Sequence, residues 1–101
     1  MKVQIIGDNI EINEWIKNVV NDKITSDLEK YLKDFSDDIK RATVKIHKRS
    51  RWGYKVNFDM WLPGKEHIFA EAVHKDLPSA IVQLREKLER QIEEYKSELS
   101  S

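Results

Sequence analysis

The chain contains no cysteine, three glycines and two prolines in 101 residues. Without cysteine there is no disulfide framework and no zinc site of the common thiolate types, and the composition suits a reducing compartment. Gly7, Gly53 and Gly64 each stand alone, so no phosphate-cradling loop is present. No apolar run approaches the roughly 18 residues of a membrane span. The opening KVQIIG reads as the start of a fold, and no signal peptide is expected. Net charge is missing too, since 18 Lys and Arg balance 18 Asp and Glu. These absences point to a single cytoplasmic domain over residues 1–101, with no cofactor, no metal and no membrane partner. The 40% hydrophobic content suffices for one modest core at this length.

The neutral total hides segregation. Residues 1–39 carry five basic and nine acidic side chains, and residues 59–101 carry six and nine. Between them, residues 40–58 hold seven cations (Lys40, Arg41, Lys45, Lys48, Arg49, Arg51, Lys55) and no acid. A concentrated positive stretch between negative flanks is the electrostatic footprint of a polyanion partner. The plainer alternative is a solvated strand and loop that happen to be basic.

Periodicity places that stretch in a fold. Lys2–Gly7 alternates apolar Val3 and Ile5 with polar neighbours, the period of a strand. Gly7-Asp8-Asn9 punctuates, and Asn13 is placed to cap a helix of about 20 residues. Its apolar stripe is Ile16, Val19, Val20, Ile24, Leu28, Tyr31, Leu32 and Phe35, and Ser36-Asp37-Asp38 ends it. Three alternating strands follow, over 39–49, 54–62 and 67–74. Ala42, Val44, Ile46, Val56, Phe58, Met60, Leu62, Ile68, Ala70 and Ala72 point to the covered side. The opposite side carries Arg41, Lys45, His47, Lys55, Asp59, Trp61, His67, Phe69 and Val73, joined by Ile6. Paired residues must share a face, which fixes turn parity. A three-residue loop at Pro63-Gly64-Lys65, with Gly64 or Lys65 left-handed, sets Trp61 opposite His67 and Asp59 opposite Phe69. A loop at Ser50-Arg51-Trp52 sets His47 opposite Lys55 and Arg41 opposite Trp61. Asp76 caps the last helix, whose stripe is Ile81, Leu84, Leu88, Ile92, Tyr95 and Leu99. The fold class is therefore α+β, in the order β-α-β-β-β-α. The expected architecture is a four-stranded mixed sheet with both helices on one face and a parallel first pair.

Catalytic chemistry finds little footing. His67 and His74 are seven residues apart on one strand, point to opposite faces and cannot share a metal. The carboxylates sit at ordinary helix-surface spacings, such as Glu86 with Arg90 and Glu89 near Lys96. No small-molecule substrate or enzymatic role is indicated. Outward aromatics beside a basic strand suit base stacking, but equally cross-strand packing or a weak dimer surface. The RNA-recognition-motif order, β-α-β-β-α-β, is not the order found here. Candidate RNA-binding residues are Arg41, Lys45, Lys48, Arg49, Arg51 and Lys55, with Lys23, Lys30, Arg85 and Arg90 from the helices.

Several strings, in order along the chain, resemble the bacterial ribosome hibernation-promoting factor family, also called ribosome-associated inhibitors or subunit-interface proteins. IIGDNIEIN is similar to its first strand and helix entry. LEKYLKDF resembles the end of its first helix, and LPGKEHIFAEA its third and fourth strands. KDLPSAIVQLREKLERQIEEYK resembles its last helix. The resemblance implies a fold related to double-stranded-RNA-binding domains and a non-enzymatic action. It implies binding to the small ribosomal subunit, through rRNA and ribosomal proteins, in the channel used by mRNA and tRNA. Such binding silences ribosomes during stationary phase or stress. Where the family's second helix ends basic, Glu93, Glu94 and Glu98 stand here; Asp27 takes a place often held by Lys, and Pro78 one held by an aromatic. These departures shift the expected RNA contacts toward residues 40–55. The chain reads as a short member or as the N-terminal domain of a long one, monomeric or weakly dimeric. The rival readings are a generic RNA-binding domain and a protein-interaction module.

Overall fold

The computed structural model describes residues 1–64 and 66–100. Strand β1 (Lys2–Asp8) leads through a short loop to helix α1 (Glu14–Val20), a π-helical turn (Asn21–Thr25) and helix α2 (Ser26–Tyr31). A 3-10 turn (Asp37–Ile39) then feeds strands β2 (Arg41–Lys48), β3 (Tyr54–Leu62) and β4 (Glu66–His74), and helix α3 (Leu77–Ser100) closes the order. The sheet order is β1-β2-β3-β4, with β1 parallel to β2 and the other pairs antiparallel. This is the expected α+β order and mixed sheet.

The first helical rod is interrupted where a plain helix was expected. Ile16, Val20, Ile24, Leu28 and Leu32 recur every four residues and all are buried. On a helix of 3.6 residues per turn, each step of four drifts about 40° around the axis. The turn at Asn21–Thr25 is wider, with Ser26 N–H donating to Asn21 O. That extra residue takes back part of the drift and keeps the stripe on the sheet. Asn13 caps the rod, its Oδ1 accepting from Ile16 N–H at 2.9 Å. The rod ends at Tyr31, so Phe35 lies beyond it, with its ring 6.2 Å from that of Tyr95.

Both expected hairpin registers form. Trp61 pairs with His67 and Asp59 with Phe69, while His47 pairs with Lys55 in a ladder that runs to Ala42 and Met60, one step short of Arg41 and Trp61. Gly64 is left-handed at φ 85°; Lys65 lies outside the described residues. Gly53 is left-handed at φ 66°, and a Cβ there would sit 2.4 Å from His74 O, so the β2–β3 turn requires glycine. All ten inward strand residues named above are buried, under the helices that cover this one face. Small Ala70 and Ala72 allow α3 to lie close on β4. Leu99 departs from its expected stripe and is 62% exposed, because α3 outruns the sheet. Among the described residues no helix is long and apolar enough to cross a membrane.

One cation of the basic stretch belongs to this interior. Lys40 has the inward parity of Ala42 and Val44, is 3% exposed, and places its ammonium 3.2 Å from Glu29 Oε2. Glu29 also holds the amino group of Met1 at 2.7 Å. Lys40 thus ties the strand entry to α2 and is unavailable to any outside partner.

Candidate nucleic-acid interface

The cations remaining from residues 40–55 separate by position along the strands. Arg41 starts β2, beside Lys2 of β1. Lys48 ends β2, roughly 23 Å away at ~3.3 Å per residue. The sequence therefore joined residues that the fold holds apart. Lys48, Arg49 and Arg51 lie at the β2–β3 turn end, Lys45 stands three residues back along β2 on the open face, and all four are exposed. Lys45 lies outward between Ile6 and Asn57. Among the described residues, no carboxylate is within ion-pairing distance of Arg41, Lys45, Lys48, Arg49 or Arg51.

Backbone geometry presents this end. Arg49 N–H donates to Gly53 O at 3.0 Å and closes the turn, leaving Ser50, Arg51 and Trp52 projecting. Trp52 is half exposed, with the Arg49 guanidinium 6.0 Å from its ring centroid. A guanidinium facing an aromatic keeps its in-plane N–H groups for a phosphate. Asn9, left-handed at φ 60°, donates from Nδ2 to Lys48 O at 3.1 Å and ties the loop after β1 to this end. Trp52 and Asn9 were not among the sequence candidates. The sequence signal for Asn9 is the Gly7-Asp8-Asn9 turn, and for Trp52 only its place in the Ser50-Arg51-Trp52 loop.

Two other outward groups have acidic neighbours. Lys55 Nζ lies 3.5 Å from Glu71 Oε2, and His47 Nδ1 lies 3.0 Å from Asp8 Oδ2. The far end of the open face is aromatic. Trp61 stacks on His67 with centroids 4.4 Å apart at 18°, and Phe69 follows at 6.1 Å from His67. His67 Nε2 is 2.6 Å from Asp59 Oδ1. Three rings and an acid fill that end, which leaves phosphate little to bind.

The helix-side candidates do not form a second positive cluster. Lys30 and Arg85 border a groove between α2 and α3 with Asp27, Tyr31 and Glu89. Arg85 Nε is 3.3 Å from Glu89 Oε1 and 3.8 Å from Asp27 Oδ2. A hydrogen bond shared with Asp27 holds the Glu89 carboxyl above its ordinary value; burial and the charge of Asp27 add to this, while Arg85 opposes it. Arg85 is thus occupied in offsetting two acids, one of them Asp27. Lys23 is half-buried beside His74, Pro78 and Ser79, and Arg90 is exposed on α3. Among the described residues, no three His, Asp or Glu side chains gather as a metal-binding group.

The surface carries Lys45, Lys48, Arg49 and Arg51 without an ion-paired carboxylate among the described residues, with Asp8 beside His47 as the neighbouring acid, and residues 3–100 match the family described as Sigma 54 modulation protein / S30EA ribosomal protein. The chain belongs to this family. Members similar to it include a ribosome hibernation promotion factor of Lactococcus lactis, 33% identical over 99% of this chain and 52% of that protein. Another of the same description, from Staphylococcus aureus, is 30% identical over 99% of this chain and 50% of that protein. The chain thus spans about half the length of these curated relatives. The family fold is seen in the N-terminal domain of Protein Y from Thermus thermophilus, with a TM-score of 0.76 and 26% identity, covering 94% of this chain and 99% of that one. A ribosomal subunit interface protein from Coxiella burnetii gives 0.73 and 25% identity, covering 96% and 99%.

Proposed function

We propose that this chain acts as a single ribosome-binding domain of a hibernation factor. It binds the small ribosomal subunit in the mRNA and tRNA channel and silences ribosomes in the cytoplasm under stress or stationary phase. Membership of the family and the names of its relatives support ribosome association. The exposed cations Lys45, Lys48, Arg49 and Arg51, none of them ion-paired among the described residues, are the observation that carries the binding mode. Inhibition by occupancy requires shape and charge against rRNA phosphate, and it requires no catalytic group. Phosphate contacts position a protein without reading sequence, which suits a fixed rRNA surface. Arg41, Lys55, Lys23, Lys30, Arg85 and Arg90 take lesser parts in this reading, because each is distant from the end, paired with an acid or partly covered.

A competition experiment tests the proposal. Labelled protein bound to purified small subunits is challenged with simple duplex RNA at equal phosphate concentration. Retention on subunits supports the ribosomal reading. Equal displacement indicates a generic RNA-binding domain, and no affinity for subunits in low salt indicates a protein-interaction module.

A further inference from the structure

The two edges of the sheet are finished differently. At β4 the outward backbone groups are occupied by α3. Gln91 Oε1 accepts from Phe69 N–H at 3.1 Å, Gln91 Nε2 donates to Phe69 O, and Lys87 Nζ donates to Glu71 O. This side-chain clamp blocks addition of a strand.

Strand β1 has no such side-chain clamp, although Ile10 and Ile12 of the following loop pack against Gly7. Lys2 N–H donates to Lys40 O, so the backbone groups of Lys2, Gln4, Ile6 and Asp8 point toward β2. By alternation, those of Val3, Ile5 and Gly7 point away from the sheet. Among the described residues they have no backbone or side-chain partner. An open groove runs beside them, lined by Val3, Ile5, Glu14, Lys17, Asn18 and Asn21. Val3 and Ile5 are half-buried, and no proline interrupts the strand.

We propose that this edge pairs with β1 of a second copy of the chain, antiparallel about a two-fold axis at Ile5, to form a continuous eight-stranded sheet. Self-complementarity selects both partner and register. With all seven strand residues overlapped, Lys2 falls opposite Asp8 of the second copy, so each two-fold pair holds opposite charges. Val3 falls opposite Gly7, whose side-chain space is taken up by Ile10 O and Ile12 of its own chain, and Ile5 opposite Ile5. The outward-facing residues, Val3, Ile5 and Gly7, are then the pairs that exchange backbone hydrogen bonds, about six in all. A parallel arrangement in register would set Lys2 against Lys2 and Asp8 against Asp8. Two strands of seven residues bury less than the ~1,200 Å² at the low end of specific interfaces. The dimer is therefore weak and forms at high protein concentration. It uses neither the cationic end nor the β4 edge.

Sedimentation equilibrium up to about 1 mM chain tests this, the weak regime set by so small an interface. Wild type should show reversible dimerisation. Lys2→Asp alone and Asp8→Lys alone should each weaken it at least tenfold, because each homodimer then sets like charges together twice. An equimolar mixture of the two variants should dimerise again, since every facing pair regains opposite signs. Ile5→Pro, which removes an outward N–H from the edge along with part of a half-buried side chain, should abolish association while the circular dichroism stays folded. A wild type that remains monomeric at the highest concentration overturns the proposal. So does a dimer indifferent to the charge variants, or a mixture no more associated than its components.

Discussion

Replacing Lys40 by Met separates a structural cation from a functional one. Lys40 is almost fully buried, with its ammonium 3.2 Å from Glu29 Oε2. Removing one member of a buried ion pair generally costs about 3–5 kcal/mol. Here the loss is smaller, because Glu29 is 34% exposed and keeps the Met1 amino group at 2.7 Å. Met also refills the volume, so about 1–2 kcal/mol is expected for Lys40→Met. At about 4–8 °C per kcal/mol for a domain of this size, Tm should fall by roughly 5–15 °C. Glu29→Gln should cost more, about 2–4 kcal/mol, since it withdraws the carboxylate from a buried ammonium and from the amino group together. Its cost is pH-dependent. The hydrogen bond from the N-terminal ammonium holds the Glu29 carboxyl below its ordinary 4.5; burial opposes this and Lys40 adds to it. The stabilisation is thus whole above pH 4.5 and is lost as pH falls through the lowered folded value. Thermal unfolding by circular dichroism at pH 7 and pH 3.5, with subunit binding measured well below each Tm, reads these effects. A Lys40→Met protein with unchanged Tm and tenfold weaker subunit binding would refute the interior assignment.

Trp61→Ala removes the stack on His67 and should cost about 0.2–1 kcal/mol of stability. Subunit affinity should change less than about threefold, whereas loss of one stacked base is worth about 1–3 kcal/mol; a tenfold loss in a folded variant would show that the open face reads bases. Gly53→Ala forces a Cβ against His74 O at positive φ and should destabilise by about 1–3 kcal/mol in chemical denaturation. A neutral result would mean that the turn rebuilds freely. Asp76 caps α3, accepting from Ser79 N–H and Oγ–H, and these bonds hold its carboxyl below the ordinary value, with burial opposing. Asp76→Ala should lower Tm at neutral pH, and the difference from wild type should shrink as pH falls through that lowered pKa. A gap that is constant with pH would argue against the cap.

Most of the fold was legible in the residues because binary alternation is unambiguous in these strands. The parity of two hairpin loops gave both registers, and Asn13 and Asp76 marked the helix starts. The π turn was less legible, although the four-residue spacing of Ile16, Val20, Ile24, Leu28 and Leu32 held its cause. Its position depends on where the sheet demands re-phasing, which is a tertiary matter. The candidate site was legible as a region but not residue by residue. Lys40 shares inward parity with Ala42, a signal that its charge overshadowed. Lys48 has the same parity but lies at the strand end, beyond the helical cover, and is exposed. Charge counting could not show that Lys55 meets Glu71 or that Arg85 is held by Asp27 and Glu89, since these contacts join distant elements. Leu99 kept helical period past the point where there is a sheet to cover it.

The central claim is that four clustered cations hold the chain on rRNA phosphate, and the salt dependence of binding tests it most directly. Affinity of the wild-type chain for purified small subunits is measured across a salt titration beside a variant with Lys48→Glu, Arg49→Glu and Arg51→Glu. Four neutralised phosphates predict a log–log slope of roughly −3 to −4. The triple variant should fall to a slope near about −1, with affinity in low salt reduced by at least a hundredfold. A variant that binds with the wild-type slope would place the contact elsewhere on the molecule and contradict the account.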